Sequence, residues 1–250
     1  MSILFLNSVL KITVWLSLFI QVITAFVDVY VLGINIPESM KLIKQLVIFE
    51  LIVQIIEGIF YIWLAYSLLT ISNITPHRYY DWFFTTPTML ITLSLYLIYL
   101  KNKEKRDKVE KGESENIKDE GVKYEGIKDE DNYISIIKKY KNYFIPIIFL
   151  NALMLLCGYL GEIHILKSNT AVLLGFIPFM IYFMIIYEKF ARYSENGKKI
   201  FYYFFIVWSL YGFAALMPYH YKNISYNILD LFAKNFFGLY LGFILLLKKN

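Results

Sequence analysis

The residue with the clearest chemical meaning in this chain is a lysine near the middle of its last apolar segment. Lys234 lies within residues 227–247, with apolar residues on both sides for more than two helical turns. A charged lysine at bilayer depth costs about 2.5–3.5 kcal/mol, so such residues are rare and usually functional. Asp230 precedes it by four residues, on the same face of a helix. The pair predicts either a buried ion pair or a Schiff-base lysine with its counterion.

The composition indicates a membrane protein. Of the 250 residues, 58% are hydrophobic and 19% aromatic, whereas soluble domains are nearer to about 45–50% apolar. A single cysteine, Cys157, excludes a disulfide framework, and the three histidines lie far apart, so a metal site is not expected. No feature predicts nucleic-acid binding.

Seven apolar segments are long enough to span a bilayer, which needs about 20 residues. They are 4–31, 41–71, 78–101, 135–160, 169–191, 197–218 and 224–247. The first is too long for a signal peptide and lacks a small-residue cleavage site. The sequence therefore predicts an all-α, multi-pass integral membrane protein: one seven-helix domain over residues 1–250.

Lysine and arginine in the short loops predict the orientation. They concentrate after helices 1, 3 and 5, which places the N-terminus outside and the C-terminus in the cytoplasm. Residues 102–133 are highly charged and form a cytoplasmic insertion between helices 3 and 4, which we expect to be disordered. Two glycosylation patterns, at Asn73 and Asn223, fall on the expected outer side.

A polar stripe runs along the third segment. Its members recur at steps of three and four residues and so share one helix face; they are Arg78, Asp81, Thr85, Thr88 and Thr92. A membrane helix turns such a face towards other helices or water. Hydrogen bonds between helices would explain the threonines, but they do not easily explain Arg78 and Asp81.

The motif Arg-Tyr-x-Asp-Trp-x-x-Thr-Thr-Pro at 78–87, with Asp-x-x-x-Lys at 230–234, resembles the microbial (type I) rhodopsins. The resemblance covers the chain apart from the charged insertion. It implies that Lys234 binds all-trans retinal covalently as a protonated Schiff base. It also implies that Asp81 and Asp230 are the counterions, with Arg78 on their extracellular side. A photoreceptor rather than an enzyme is therefore expected.

The same resemblance implies a retinal pocket. Its members would be Trp82, Thr85, Thr86, Asn151, Met154, Gly158, Trp208 and Tyr211. Two positions depart from the family pattern: Gly212 stands where proline is usual, and Ala215 where a second tryptophan is frequent. Both departures should alter the packing around the retinal ring and the colour.

An outward proton pump of this family needs a cytoplasmic donor. Thr92 occupies the usual donor position, eleven residues after Asp81 and about 16 Å along the helix. Threonine cannot donate a proton at neutral pH. The loop before helix 7 also has no carboxylate pair for proton release. A fast pump is therefore disfavoured, whereas a slow one remains open.

Polar faces on other helices favour an ion route. They comprise Ser17, Gln21, Thr24 and Asp28 on helix 1; Glu50, Gln54 and Glu57 on helix 2; and Asn227, Asp230 and Asn235 on helix 7. Packed with Thr92 around a common axis, these acidic faces would line a path suited to cations. Alternatively, Glu50 and Glu57 are protonated structural groups.

The glutamate repeat on helix 2 is similar to that of channelrhodopsins. In Glu50 and Asn235 the chain also resembles giant-virus rhodopsins that act as light-gated cation channels, where these positions belong to a cytoplasmic constriction. A light-gated cation channel is the first hypothesis. A weak outward proton pump and a photosensor signalling through residues 102–133 remain alternatives. The expected partners are membrane lipid and transported cations or protons, and the sequence is compatible with a homo-oligomer and a cytoplasmic partner of the insertion.

Overall fold

The chain folds into a bundle of long helices, seen here in a computed structural model that describes residues 3–68, 70–110 and 132–247. Within these residues there are no strands. The α-helices are α1 (Ile3–Leu32), α2 (Lys41–Ser67), α3 (Arg78–Glu110), α4 (Tyr133–Lys139), α5 (Lys141–Glu162), α6 (Ser168–Ile186), α7 (Glu195–Ala215), α8 (Tyr219–Asp230) and α9 (Phe236–Leu247). Two π-helical turns continue this pattern: Tyr187–Ala191 extends α6, and Leu231–Asn235 joins α8 to α9.

The predicted all-α membrane bundle is confirmed. Among the described residues, six helical rods are long and apolar enough to cross a membrane: Ile3–Leu32, Glu38–Ser67, Thr75–Lys108, Lys141–Glu162, Ser168–Ala191 and Tyr219–Leu247. The seventh rod is α7, whose first turn carries Glu195, Lys198 and Lys199 and whose body is rich in tyrosine. These polar groups lower its hydropathy, so the bundle has six to seven spanning helices.

The rods pack around a closed ring that follows chain order. The sequence of contacts is α1 with α2, α2 with α3, α3 with α5, α5 with α6, α6 with α7, α7 with α8, and α8 and α9 back to α1. Of the six spanning rods, the one containing α3 is the most deeply buried. Large apolar side chains such as Phe19, Phe26 and Ile59 are exposed on the outside, which suits a lipid environment rather than water.

The third helix runs further than the hydropathy pattern predicts. It continues to Glu110, nine residues beyond the predicted end at 101, because lysine, arginine and glutamate are good helix formers. In this extension Glu104 accepts hydrogen bonds from the Ser194 hydroxyl (2.6 Å) and the Glu195 backbone N–H (3.3 Å) at the start of α7. Residues 111–131 of the charged insertion lie outside the described residues, so its disorder stays a prediction.

The close packing of α5 against α6 depends on a glycine, Gly161. A Cβ atom on Gly161 would lie only 2.6 Å from the Cβ of Ala171. We therefore expect Gly161→Ala to destabilise the protein by about 1–3 kcal/mol through overpacking. Gly175→Ala is the matched control in the same interface, since its Cβ would lie 3.6 Å from the nearest atoms. Thermal unfolding of both variants in detergent tests this, and equal midpoints would contradict it.

Candidate functional site

Lys234 lies inside the bundle, in the π-helical turn Leu231–Asn235. Its side chain is only 2% exposed. The Nζ atom donates a hydrogen bond to Asp81 Oδ2 at 2.6 Å, and it lies 3.2 Å from Glu57 Oε1 and 3.6 Å from Asp230 Oδ1. Three elements, α2, α3 and α8, thus each supply one carboxylate to the lysine. Single π-turns of this kind often occur at functional sites.

Glu57 lies beside Lys234, which the sequence did not suggest. The helix 2 pattern predicted it as a member of an ion route or as a protonated structural group. In the structure it lies closer to Lys234 Nζ than Asp230 does. Asp81, Glu57 and Asp230 are hereafter called the carboxylate cluster. Because buried carboxylates of like charge repel one another, this cluster needs more positive charge than Lys234 alone provides.

The second cation is Arg78, whose guanidinium lies 3.5 Å from Asp230 Oδ2 and is fully buried. Asp230 also accepts hydrogen bonds from the hydroxyls of Tyr61 and Tyr211, each at 2.7 Å. Tyr61 was not predicted. Its signal was available, since it follows Glu57 by four residues on the polar face of α2.

Two asparagines hold Arg78 from α8. Arg78 Nε donates to Asn223 Oδ1 at 3.0 Å, and its second amino group donates to Asn227 Oδ1. Asn227 Nδ2 donates in turn to the Thr13 hydroxyl at 2.9 Å. Asn223 is fully buried, so its match to the glycosylation pattern does not mark an attachment site: a glycan cannot be attached to a side chain enclosed by the bundle.

A cavity begins at Lys234 and runs between α3, α5, α6 and α7. The space open to the centre of a water molecule is about 120 Å³. Six of the predicted pocket residues line it: Trp82, Thr86, Met154, Gly158, Trp208 and Tyr211. Residues that the sequence did not single out complete much of the wall, namely Tyr79, Met89, Leu155, Val172, Gly175, Phe176, Phe179 and Tyr226. The wall is therefore mostly aromatic and aliphatic.

Two predicted pocket residues act from behind the wall. Thr85 does not line the cavity, and its hydroxyl donates to the Asp81 carbonyl at 2.9 Å. Asn151 donates to the Thr86 hydroxyl at 2.8 Å, and Thr86 donates to the Trp82 carbonyl at 2.7 Å. These bonds fix the rotamers of the α3 side chains beside the cavity.

The departures at Gly212 and Ala215 are compensated from α6. Both residues line the cavity. A Cβ atom on Gly212 would lie 2.6 Å from ring atoms of Phe176. Phe176 therefore fills the space that a larger residue on α7 would occupy, and it closes this side of the wall.

Every residue predicted for the ion route is buried. Two of these side chains use internal hydrogen bonds: Ser17 donates to the Asn227 carbonyl and Thr92 to the Thr88 carbonyl, each at 3.0 Å. Several others have polar atoms without a hydrogen-bond partner among the described residues: Gln21, Asp28, Glu50, Gln54, Glu57 and Asn235. Buried polar groups are almost always satisfied, so this column of side chains calls for water.

A profile of bacteriorhodopsin-like proteins matches residues 9–247. The chain belongs to the bacteriorhodopsin-like family. It is a microbial rhodopsin, and members of this family bind retinal and act as photoreceptors, ion pumps or channels rather than as enzymes. The chain is thus an integral membrane protein that crosses the bilayer several times. No curated protein sequence matches it significantly.

Solved structures show the same fold. The viral rhodopsin OLPVRII is 23% identical, with a TM-score of 0.71, and the match covers 94% of this chain and 96% of that one. Exiguobacterium sibiricum rhodopsin is 15% identical, with a TM-score of 0.68 and 96% of each chain covered. Halorhodopsin, a light-driven chloride pump, is 15% identical, with a TM-score of 0.61 and 94% of each chain covered.

The cavity of this microbial rhodopsin fits a retinal. Its wall is apolar, two tryptophans contribute to it, and glycines at 158, 175 and 212 leave room. Among the described residues a single amine, that of Lys234, reaches it, and the carboxylate cluster surrounds that amine. Retinal is an apolar polyene with one reactive end, so the apolar wall suits its polyene and the charged surroundings of Lys234 suit its reactive end.

The carboxylate cluster makes a pH-dependent stability prediction. Lys234→Met removes a cation from beside three carboxylates, which should destabilise the retinal-free protein by about 3–5 kcal/mol at neutral pH. The loss should shrink as the pH falls, because protonation removes the uncompensated negative charge. Lys11→Met, at an exposed position of α1, is the control. Thermal unfolding across a pH series checks this, and a pH-independent loss for Lys234→Met would contradict it.

Proposed function

We propose that Lys234 carries all-trans retinal covalently, and that light opens a cation path through this protein. The observation that carries the proposal is the position of Lys234 Nζ, at the end of an apolar cavity and within 3.6 Å of three carboxylates. Retinal, when bound, supplies visible-light absorption and a photoisomerisation. The side chains around it would bind the retinal and hold or move the proton on its nitrogen.

Lys234 would attach retinal by condensation of its amine with the aldehyde, with loss of water. The nitrogen stays protonated in a low-dielectric site only if an anion lies nearby. Asp81 is the best placed acceptor for that proton, at 2.6 Å. Asp230 would act as a fixed counterion because Tyr61 and Tyr211 both donate to it. Glu57 is the third member of the cluster. With one proton shared among the three carboxylates, two negative charges remain, and these would balance the positive charges of Lys234 and Arg78.

The orientation rests on the distribution of basic residues. Lys41, Lys44 and Lys101 lie at one end of the bundle with Arg192 and Lys198. This is hereafter called the Lys101 end. Because cytoplasmic loops carry an excess of lysine and arginine, we place the Lys101 end in the cytoplasm. Arg78 then lies on the extracellular side of Lys234.

The column of unpartnered polar groups supports a channel. It lies on α1, α2 and the π-turn and extends from Glu57 towards the Lys101 end through Gln54 and Glu50. Its carboxylates would attract cations and repel anions. Gln21 belongs to the same column, and Asn235 adjoins Lys234 within it. The buried hydroxyls of Ser17 and Thr92 donate to backbone carbonyls instead. On the extracellular side, Arg78 and its asparagines would have to separate for ions to pass.

An outward proton pump is the second candidate. The position of Asp81 as a proton acceptor favours a pump. Thr92, at the usual donor position on α3, has no proton to donate and disfavours one. A photosensor would signal through the 102–133 insertion and a cytoplasmic partner, and most of that segment lies outside the described residues.

The attachment site is tested by removing the amine. Lys234→Ala should show no visible absorption band after retinal is added, because no other lysine contacts the cavity among the described residues. Lys11→Ala should form the wild-type pigment. Absorption spectra of both purified variants decide the point, and a pigment band retained in Lys234→Ala would sink the assignment.

The counterions are tested by colour. Asp81→Asn should shift the absorption band to longer wavelength, because losing a nearby anion destabilises the ground state, in which the positive charge lies at the nitrogen. Glu57→Gln should give a smaller red shift, in keeping with its 3.2 Å distance. Glu38→Gln, at an exposed carboxylate, should leave the spectrum unchanged. A spectrum of Asp81→Asn identical to wild type would show that Asp230 dominates.

Patch-clamp recording in light separates the functions. We expect a photocurrent that reverses sign with the cation gradient, because a channel is passive. A current that keeps its direction against the voltage would identify a pump and overturn the channel. No current from a correctly coloured protein at the cell surface would favour the sensor.

A further inference from the structure

Two buried acidic residues approach the same glycine on the Lys101 side of Lys234. A Cβ atom on Gly238 of α9 would lie 3.3 Å from Asp28 Oδ2 and 3.6 Å from Glu50 Cβ. Asp28 comes from α1 and Glu50 from α2, and both side chains are fully buried. The absence of a side chain at 238 therefore leaves room for acidic side chains from two helices beside a third.

Neither carboxyl group has a hydrogen-bond partner among the described residues. The Thr92 side chain of α3 lies beside Glu50. Its hydroxyl already donates its proton to the Thr88 carbonyl at 3.0 Å. Thr92 is therefore the polar neighbour that α3 offers to Glu50. Two ionised carboxylates close together inside a bundle would repel each other.

A polar path connects this pair to the lysine. Glu50 and Glu57 are seven residues apart on one face of α2, which is about 10 Å along the helix. Glu57 lies 3.2 Å from Lys234 Nζ. Between them the amides of Gln54 and Asn235 are buried and have no partner among the described residues. A short water chain could satisfy these amides and conduct a proton.

We propose that Asp28 and Glu50 form a proton store that returns a proton to the nitrogen of Lys234 after light has moved one to the carboxylate cluster. The proposal rests on the retinal attachment at Lys234. The O–H bond of Glu50 breaks, the proton crosses the path along Gln54, and an N–H bond forms at Lys234. Glu50 then regains a proton from water at the Lys101 end by way of Asp28. The donor that α3 lacks at Thr92 is thus supplied from α1 and α2.

The charged groups around Glu50 are few among the described residues. Packed against it, α1 contributes Asp28, α3 contributes only the Thr92 hydroxyl, and α9 contributes the uncharged Gly238. Glu57, and Lys234 beyond it, are the next charges along the path. No basic side chain pairs with Glu50 among these neighbours, so the protonation state of the pair depends on its two carboxyl groups.

The test uses the retinal-bound protein and a flash of light. In Glu50→Gln the recovery of the dark-state absorption should be at least about tenfold slower than in wild type, and about tenfold slower again for each unit rise in pH, since protons then come from bulk water. Asp28→Asn should slow recovery less. Glu38→Gln removes an exposed carboxyl group and should recover like wild type.

A matched glycine pair tests the geometry without changing a carboxyl group. Gly238→Ala forces Asp28 to move, because the new Cβ would lie 3.3 Å from Oδ2, and recovery should slow several-fold. Gly242→Ala places a Cβ 3.9 Å from Asp28 Oδ1, an ordinary contact, and should not change recovery. If Glu50→Gln does not assemble, this pair and Asp28→Asn decide the question.

Infrared spectra give a readout independent of function. A carbonyl stretching band of a protonated carboxyl group should be present in the dark, with or without retinal, and should disappear in Glu50→Gln but not in Glu38→Gln. A coloured protein whose recovery in Glu50→Gln stays fast and pH-independent overturns the proton store alone. A wild-type protein that takes up no retinal would overturn the proposed function itself.

Discussion

The structure depends on compensating the charge of one buried ammonium group, that of Lys234. Burying an unpaired charge is so unfavourable that partners must be supplied wherever the lysine lies. Three helices each supply one carboxylate, Asp81, Glu57 and Asp230. Those carboxylates in turn need Arg78, and Arg78 needs the amides of α8. Each requirement fixes the rotation of another helix, so one charge orders much of the bundle around the cavity.

This constraint divides the interior into two regions. Between α3, α5, α6 and α7 the wall is aromatic and aliphatic, which suits an apolar chromophore. Between α1, α2 and the α8–α9 rod the side chains are polar and many lack partners among the described residues. Lys234 lies at the boundary between them. A change in the apolar region can therefore alter the polar one through a single side chain.

Sequence reasoning located the helices and the central pair, but not all of the neighbours. Hydropathy and the two motifs suffice for the rods, for Lys234 and Asp81, and for most of the cavity wall. They could not place Glu57, predict the Tyr61 bond to Asp230, or show that Asn223 is buried. Such contacts depend on the rotation and axial shift of one helix against another, which tertiary packing sets. Tertiary packing also explains why Phe176 of α6 fills the space that a larger side chain on α7 would occupy.

The central claim, that Lys234 is the attachment site, is tested most directly by reductive trapping. The retinal-bound protein is treated with borohydride, digested and examined by mass spectrometry. The account predicts one retinyl-modified peptide, with the modification on Lys234. A modification on a different lysine, or none in a protein that had absorbed visible light, would contradict it.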